Sequence, residues 1–309
     1  MKKYIFNRTL QTIVVLVGVT LVTFIMLNII PGDPVTLMLE KKADPATIDR
    51  IRHELGLDRP LTVQYLDFIR NALVGDFGTS YFQREEVFVI IKRGFLVTLK
   101  LGGYSFLFAL ILGIGIGTLA AVNRGNYVDR ILMLITMVGI SAPVFWIAVI
   151  LQIVFGLKLD WLPISGIDTP SGFVLPTIAL GTRFAASIAR LTRTSMLDAL
   201  TQDYIRTARA KGLHEFVVVM KHVFKNAAIP ILTFTGITIK DILGGSILTE
   251  TVFSIPGLGK LMVDAIMTRD IPLIQGSVIY VAMVFVLTNL LIDVCYGFLD
   301  PRVGVGKEV

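Results

Sequence analysis

Four stretches of this chain, residues 9–32, 101–123, 131–157 and 271–292, contain no Asp, Glu, Lys or Arg. Each is longer than the roughly 20 residues that a helix needs to cross about 30 Å of hydrocarbon. Hydrocarbon offers backbone groups no hydrogen-bond partner, so only helices and closed barrels can span it. A barrel would show short alternating segments instead. The reading is an all-α, polytopic membrane protein. Composition agrees: 54% of residues are hydrophobic and 17% charged, against about 25% charged in soluble domains.

Two further apolar segments carry charges. Residues 173–191 contain Arg183 and Arg190, and residues 231–253 contain Lys240, Asp241 and Glu250. Together these make six transmembrane helices. Ionisable groups at membrane depth are costly against lipid, so these helices should turn such faces toward protein or water. Arg190 and Glu250 are expected at span ends, snorkelling to the interface. Lys240 and Asp241 lie near the middle and fit either a local ion pair or a substrate contact. The first run is followed by Pro31-Gly32-Asp33-Pro34 rather than a small-residue cleavage site, so it reads as a permanent first span.

Basic residues set the orientation. Lys2, Lys3 and Arg8 precede span one; Arg124 and Arg130 flank the turn between spans two and three. Arg193, Arg206, Arg209, Lys211, Lys221 and Lys225 crowd the stretch between spans four and five, and Arg302 and Lys307 follow span six. All fall on one side if both termini are cytoplasmic. The opposing loop at 158–172 has one Lys and two Asp.

The division expected is residues 1–30 for the N-terminal tail and span one, 31–98 for an external subdomain, and 99–309 for the transmembrane core. Asp44-Pro45 gives an N-cap with Pro at the first helical position. Ile48, Ile51 and Leu55 follow at helical spacing, with Gly56 at the stop. Val63, Leu66, Ile69 and Leu73 predict a second amphipathic helix. This small α-helical subdomain either caps the spans or receives a soluble partner. Gly113, Gly115 and Gly117, and Gly244 with Gly245, are small-residue patches suited to close helix packing.

Enzyme signatures are missing. Gly257-Leu258-Gly259-Lys260 has Ser254 where a phosphate loop needs its first Gly and Leu261 where it needs Ser or Thr, so it reads as an external turn. His53, His214 and His222 are dispersed, and the single Cys295 sits in the last span; no metal site is expected. The net charge of +6 follows the membrane asymmetry rather than a nucleic-acid partner.

Residues 203–230, DYIRTARAKGLHEFVVVMKHVFKNAAIP, are basic and patterned. Tyr204 to Ala210 are good helix formers, Gly212 interrupts, Phe216 to Lys225 resume a helical pattern, and Pro230 marks entry to span five. A helix–Gly–helix elbow at the membrane surface can insert into a groove on another protein, or its cations can bind anionic headgroups.

This segment resembles the cytoplasmic EAA loop of ABC importer permeases. Arg206-Thr207-Ala208 stands at the triplet and Gly212 at the glycine; the usual Glu and the later Pro are missing. TARAKG with a downstream HVFKNAAIP is similar to the peptide and nickel branch of that family. Other blocks agree: Ile30-Pro31-Gly32-Asp33-Pro34, Gly75-Asp76-Phe77-Gly78-Thr79-Ser80, Trp161-Leu162-Pro163, Phe253-Ser254-Ile255-Pro256-Gly257-Leu258-Gly259 and Leu299-Asp300-Pro301-Arg302.

The resemblance implies a type I ABC importer permease fold and a non-catalytic subunit of a peptide importer in the bacterial or archaeal inner membrane, with nickel, a nickel chelate or glutathione as other cargoes. It implies a second permease, two ABC ATPase subunits and an extracytoplasmic substrate-binding protein as partners, besides membrane lipid. This chain would hold no cofactor; ATP and Mg²⁺ would belong to the ATPases. Asp203, Tyr204, Arg206, Thr207, Ala208, Lys211, Gly212 and Leu213 would couple to an ATPase. Ser141, Pro143, Lys240, Asp241, Gly244 and Ser246 are the candidates for lining a path. From another class, a self-sufficient ion-coupled transporter would need broken helices near the midplane, and an intramembrane enzyme would need a nucleophile–base set.

Overall fold

The computed structural model describes residues 2–29, 44–54, 56–244 and 246–299. The motifs at 30–34 and 300–302, Lys307 and Gly245 lie outside the described residues, as do the side chains of Lys2, Lys3, Arg8, Ile51, Lys240 and Cys295, the surroundings of Gly244 and all of Leu55. Among the described residues the chain is helical, with one isolated bridge between Thr79 and Glu86. Five helices are long and apolar enough to cross a membrane, and a bent pair makes six. Their order is α1 (Lys2–Ile29), α2 (Pro45–Glu54), α3 (Leu61–Leu73), α4 (Val87–Val122), α5 (Tyr127–Ser141), α6 (Val144–Leu151), α7 (Val174–Leu200), α8 (Asp203–Ala210), α9 (Phe224–Gly244), α10 (Ser246–Val252), α11 (Leu258–Thr268) and α12 (Ile271–Leu299). The chain forms two compact units, residues 1–97 with 256–309, and residues 98–255. The division expected at 98 falls inside α4, and the last span belongs with the N-terminal residues.

In the first unit α1 packs along α12. Helix α3 leans on α1 through Tyr65 and Phe68, whose rings lie 5.4 and 6.3 Å from that of Phe24. The Tyr65 hydroxyl is 3.1 Å from Thr20 Oγ1. The first turns of α4 bury Val87, Ile90 and Ile91 against Leu258, Ala265 and Leu273. Contact is close enough that a Cβ on Gly276 would lie 2.6 Å from Val87 Cγ1. The stretch Gly257-Leu258-Gly259-Lys260 is the start of α11, with Gly257 at its N-cap. It is a helix terminus rather than the expected turn.

The block Gly75–Ser80 has a physical reason. Gly75 and Gly78 both take positive φ, and Asp76 Oδ1 accepts from the Gly78 N–H at 2.9 Å. The resulting turn delivers Ser80, whose hydroxyl donates to the Asp270 carboxylate. Asp270 is 1% exposed. It also accepts from the backbone N–H groups of Tyr81 and Phe82 at 3.3 and 3.4 Å, and of Leu273 in the first turn of α12. Burial, with the Asp270 charge adding to it, pushes the Tyr81 phenol up to about 12.

In the second unit α7 packs against α5, α6, α9 and α10. Added Cβ atoms on Gly113 and Gly117 would lie 2.7 Å from Ile188 and 2.5 Å from the Ala189 carbonyl, so α4 and α7 touch backbone to backbone there. Gly115 has no such neighbour. Arg193 of α7 forks onto Asp129 of α5 at 2.6 and 2.8 Å, and Asp129 takes a third bond from the Gly125 N–H at 3.0 Å.

Three expectations are corrected. Residues 131–157 are not one continuous helix: α5 and the α6 segment meet at 106°. Pro143 forces this, because it pushes the preceding residue out of helical backbone; Ala142 is extended at ψ 131°. Pro230 does not mark an entry, since it lies inside α9. Residues 218–223 form a widened π turn joining the inner arm to α9. Glu250 does not snorkel: it is fully buried and accepts from Thr98 Oγ1 at 2.7 Å. Arg190 is exposed, and α7 continues ten residues beyond it to Leu200.

The Asp270 cluster predicts an outcome. Replacing Asp270 with Leu strands buried donors, each costing about 1–3 kcal/mol. The thermal midpoint of purified protein in detergent should fall clearly, and Asp270→Asn should fall less because its carbonyl still accepts.

Candidate coupling site

Helix α8 is short, and its spacing decides what it shows. Ile205 and Ala208 lie three apart on one face and are buried. They join Met196 and Ala199 of α7, Val218, Val219 and Val223 of the π turn, and Ala227 and Ile231 of α9 in one apolar cluster. Burying an Ile side chain contributes about 1.5–3 kcal/mol, so α8 is seated rather than tethered. The other face presents Asp203, Tyr204, Arg206 and Thr207, all exposed. Arg206 and Asp203 approach at 3.6 Å with side chains 80% and 96% exposed, a pairing too solvated to hold either group in place.

The helix ends on Gly212 at φ +76°. The Leu213 N–H reaches the Ala208 carbonyl at 3.4 Å and the Gly212 N–H reaches Arg209 at 2.9 Å. This is the six-to-one and five-to-two pattern that closes a helix through a left-handed glycine. The next element starts at once: His214 Nδ1 accepts from the Phe216 N–H at 3.3 Å. Arg209 bridges the elbow to Glu215 with bonds of 3.1 and 2.6 Å, and that carboxylate holds the Arg209 guanidinium above its ordinary range.

The expected coupling residues Asp203, Tyr204, Arg206, Thr207, Lys211, Gly212 and Leu213 therefore share one exposed elbow. Ala208 is on the buried side and seats the helix instead. Sequence reading missed Phe216 and Met220, 68% and 45% exposed. The run Val217-Val218-Val219-Met220 is apolar all round, which marks a segment covered on more than one side. Val218 and Val219 are covered by this chain, and Phe216, Val217 and Met220 are left outward. An exposed apolar group beside cations is the composition of a docking surface.

The path candidates do not behave as a set. Ser141 and Pro143 are exposed at the bend, and Asp241 is exposed on α9. Ser246 is buried at 1% exposure. The side chain of Lys240 and the surroundings of Gly244 fall outside what is described. Among the described residues no three His, Cys, Asp or Glu side chains converge.

Comparison with known proteins follows this geometry. Residues 113–305 match the family described as binding-protein-dependent transport system inner membrane component, and residues 1–102 match its N-terminal counterpart. The chain is similar to the glutathione transport system permease protein GsiC of Escherichia coli (strain K12), with 42% identity over 303 residues, 98% of this chain and 99% of that protein. The same protein of Pectobacterium atrosepticum matches with the same identity and coverage. Among solved structures, the inward-facing methionine ABC transporter MetNI aligns at TM-score 0.51 and 21% identity, over 66% of this chain and 95% of that one. An amino acid ABC transporter aligns at 0.50 and 17%, over 65% and 91%. At such identities these two speak for the fold alone. With both family matches and a full-length relationship at 42% identity, this chain belongs to the binding-protein-dependent transport system inner membrane components.

Proposed function

We propose that this importer permease forms half of a path for short peptides, with glutathione, a tripeptide, as the first cargo to test. Its own residues perform no catalysis. A second permease completes the path, two ATPase subunits bind the elbow at 203–220, and a binding protein delivers cargo from outside. Both termini face the cytoplasm. The observation that carries the reading is the elbow: a helix seated by Ile205 and Ala208 and closed at Gly212, with a charged and apolar outer face. A seated helix transmits a push into α7 and α9, which a flexible loop would absorb. The 42% identity to glutathione permeases supports a peptide cargo. The family assignment removes the ion-coupled transporter, although the bend before Pro143 is the kind of broken helix that reading required.

An affinity tag on this chain should recover a second permease and two ATPases. Uphill solute movement by the isolated chain in vesicles lacking any nucleotidase would overturn the proposal. A Cβ on Gly212 would meet nothing within 4 Å, so its substitution acts through backbone alone, at roughly 1–2 kcal/mol for left-handed geometry. Gly212→Asn should keep most uptake, because Asn tolerates this region. Gly212→Val should lose uptake while ATP hydrolysis and membrane insertion persist; equal uptake by both variants would remove the elbow from the mechanism. A reporter active only outside the cytoplasm and fused after Ser80 should be active, and silence there would reverse the orientation.

A further inference from the structure

Helix α7 carries a polar line that the coupling elbow does not use. At about 100° per residue, Arg183, Ser187, Arg190 and Thr194 fall within about 60° of one another. Arg183, Arg190 and Thr194 are exposed and Ser187 is half-buried. The hydroxyls of Ser187 and Thr194 turn back onto the carbonyls of Arg183 and Arg190 at 3.0 and 3.1 Å. That leaves the two guanidinium groups as the chemistry of the line, about 10 Å apart along the axis. Toward the N-terminal end the same line continues into Pro176 and Leu180, which are buried. The cationic part therefore opens only along the half of α7 that leads to the elbow.

The contrast with Arg193 is informative. That side chain, on the same helix, is neutralised by two bonds to Asp129. Among the described residues Arg183 and Arg190 meet no acidic partner. Arg183 is nine residues from the start of α7 and Arg190 ten from its end, or about 14 and 15 Å. Helix α7 has 27 residues, about 40 Å against roughly 30 Å of hydrocarbon, so Arg190 lies toward the inner end of the span and Arg183 about 10 Å deeper, where an arginine facing lipid is strongly disfavoured. The face must meet water or another chain's polar surface, as the wall of a path does.

We infer that Arg183 and Arg190 line the inner half of the path and make it selective for peptides of net negative charge. This rests on the permease reading above. A cleft lined by one sign of charge concentrates the opposite sign, and a guanidinium pairs with a carboxylate through two parallel bonds. A tripeptide with two carboxylates and one ammonium is such a cargo. Repeated weak contacts along the line would pass a carboxylate inward without trapping it.

The test compares the complete complex, with its binding protein, carrying Arg183→Gln and Arg190→Gln against the same complex without them. Uptake is read for glutathione, Asp-Ala, Ala-Ala and Lys-Ala. The binding protein's own preference cancels in each variant-to-parent ratio. That ratio should fall roughly tenfold or more for Asp-Ala and glutathione, stay near one for Ala-Ala, and not fall for Lys-Ala. Arg→Lys at both positions should restore most anion uptake. An equal fall for every peptide with loss of complex assembly would make these arginines a subunit contact, and unchanged ratios would place them away from the path; either overturns the inference. If the parent complex carries dipeptides but not glutathione, the cargo proposal fails while the charge series still decides this one.

Discussion

A backbone inside hydrocarbon has nowhere to send an open hydrogen bond, and the breaks in the described spans answer to that constraint. At the bend, Ala142 keeps a bond to the Val138 carbonyl at 2.9 Å, and Pro143 has no N–H to lose. A second widened π turn, Gln152–Lys158, follows α6, and the amide of its first residue, Gln152, donates to the carbonyls of Ile164 and Val252 at 2.8 and 3.1 Å. One side chain thus ties the loop after α6 to the end of α10. Where the spans carry charge and the chain can answer it internally, it does so, as with Glu250 on Thr98 and Arg193 on Asp129. At these places the break or charge has identified donors and acceptors within the chain, which Arg183 and Arg190 lack among the described residues.

Under the proposed coupling role, the packing around the elbow sets how its movement would reach the spans. The apolar cluster packs α8 against the ends of α7 and α9. The Arg193–Asp129 fork then joins α7 to α5, and close packing at Gly113 and Gly117 joins α7 to α4. Close-packed interiors repack between discrete arrangements more readily than they stretch. A displacement of α8 should therefore carry α7 with its neighbours. The Arg209–Glu215 pair adds little energy at an exposed site, roughly 0–1 kcal/mol, but it spans the elbow on both sides of Gly212 and limits its opening.

Local features were legible in sequence where one residue type has one physical use. Gly212 was read as the elbow because left-handed backbone favours glycine. Asp44 and Pro45 placed the start of α2, and charge-free runs placed the spans. The bend had a local signal in Pro143 that the unbroken apolar run concealed. What could not be read was non-local: Asp129 and Arg193 are 64 residues apart in sequence, and Thr98 and Glu250 are 152 apart. Judging a charged residue singly as lipid-facing or terminal missed these pairs. In the coupling segment the exposed half was read and the buried half was not, because Ala208 looks the same in sequence whether it docks or seats.

Arginine positions on α7 show how burial separates roles that composition merges. Arg183, Arg190 and Arg193 fall within eleven residues of one helix. Arg193 points to α5 and ends on a carboxylate that is 3% exposed; removing that partner would strand a charge, so its part is structural. Arg183 and Arg190 lie on a different line of the helix and are open. A helix that serves only as scaffold gains nothing from open cations at that depth and bears their desolvation cost against lipid. One arginine of α7 is locked and, among the described residues, two meet no acidic partner; it is on that difference, rather than on the number of cations, that the proposed charge-selective wall rests.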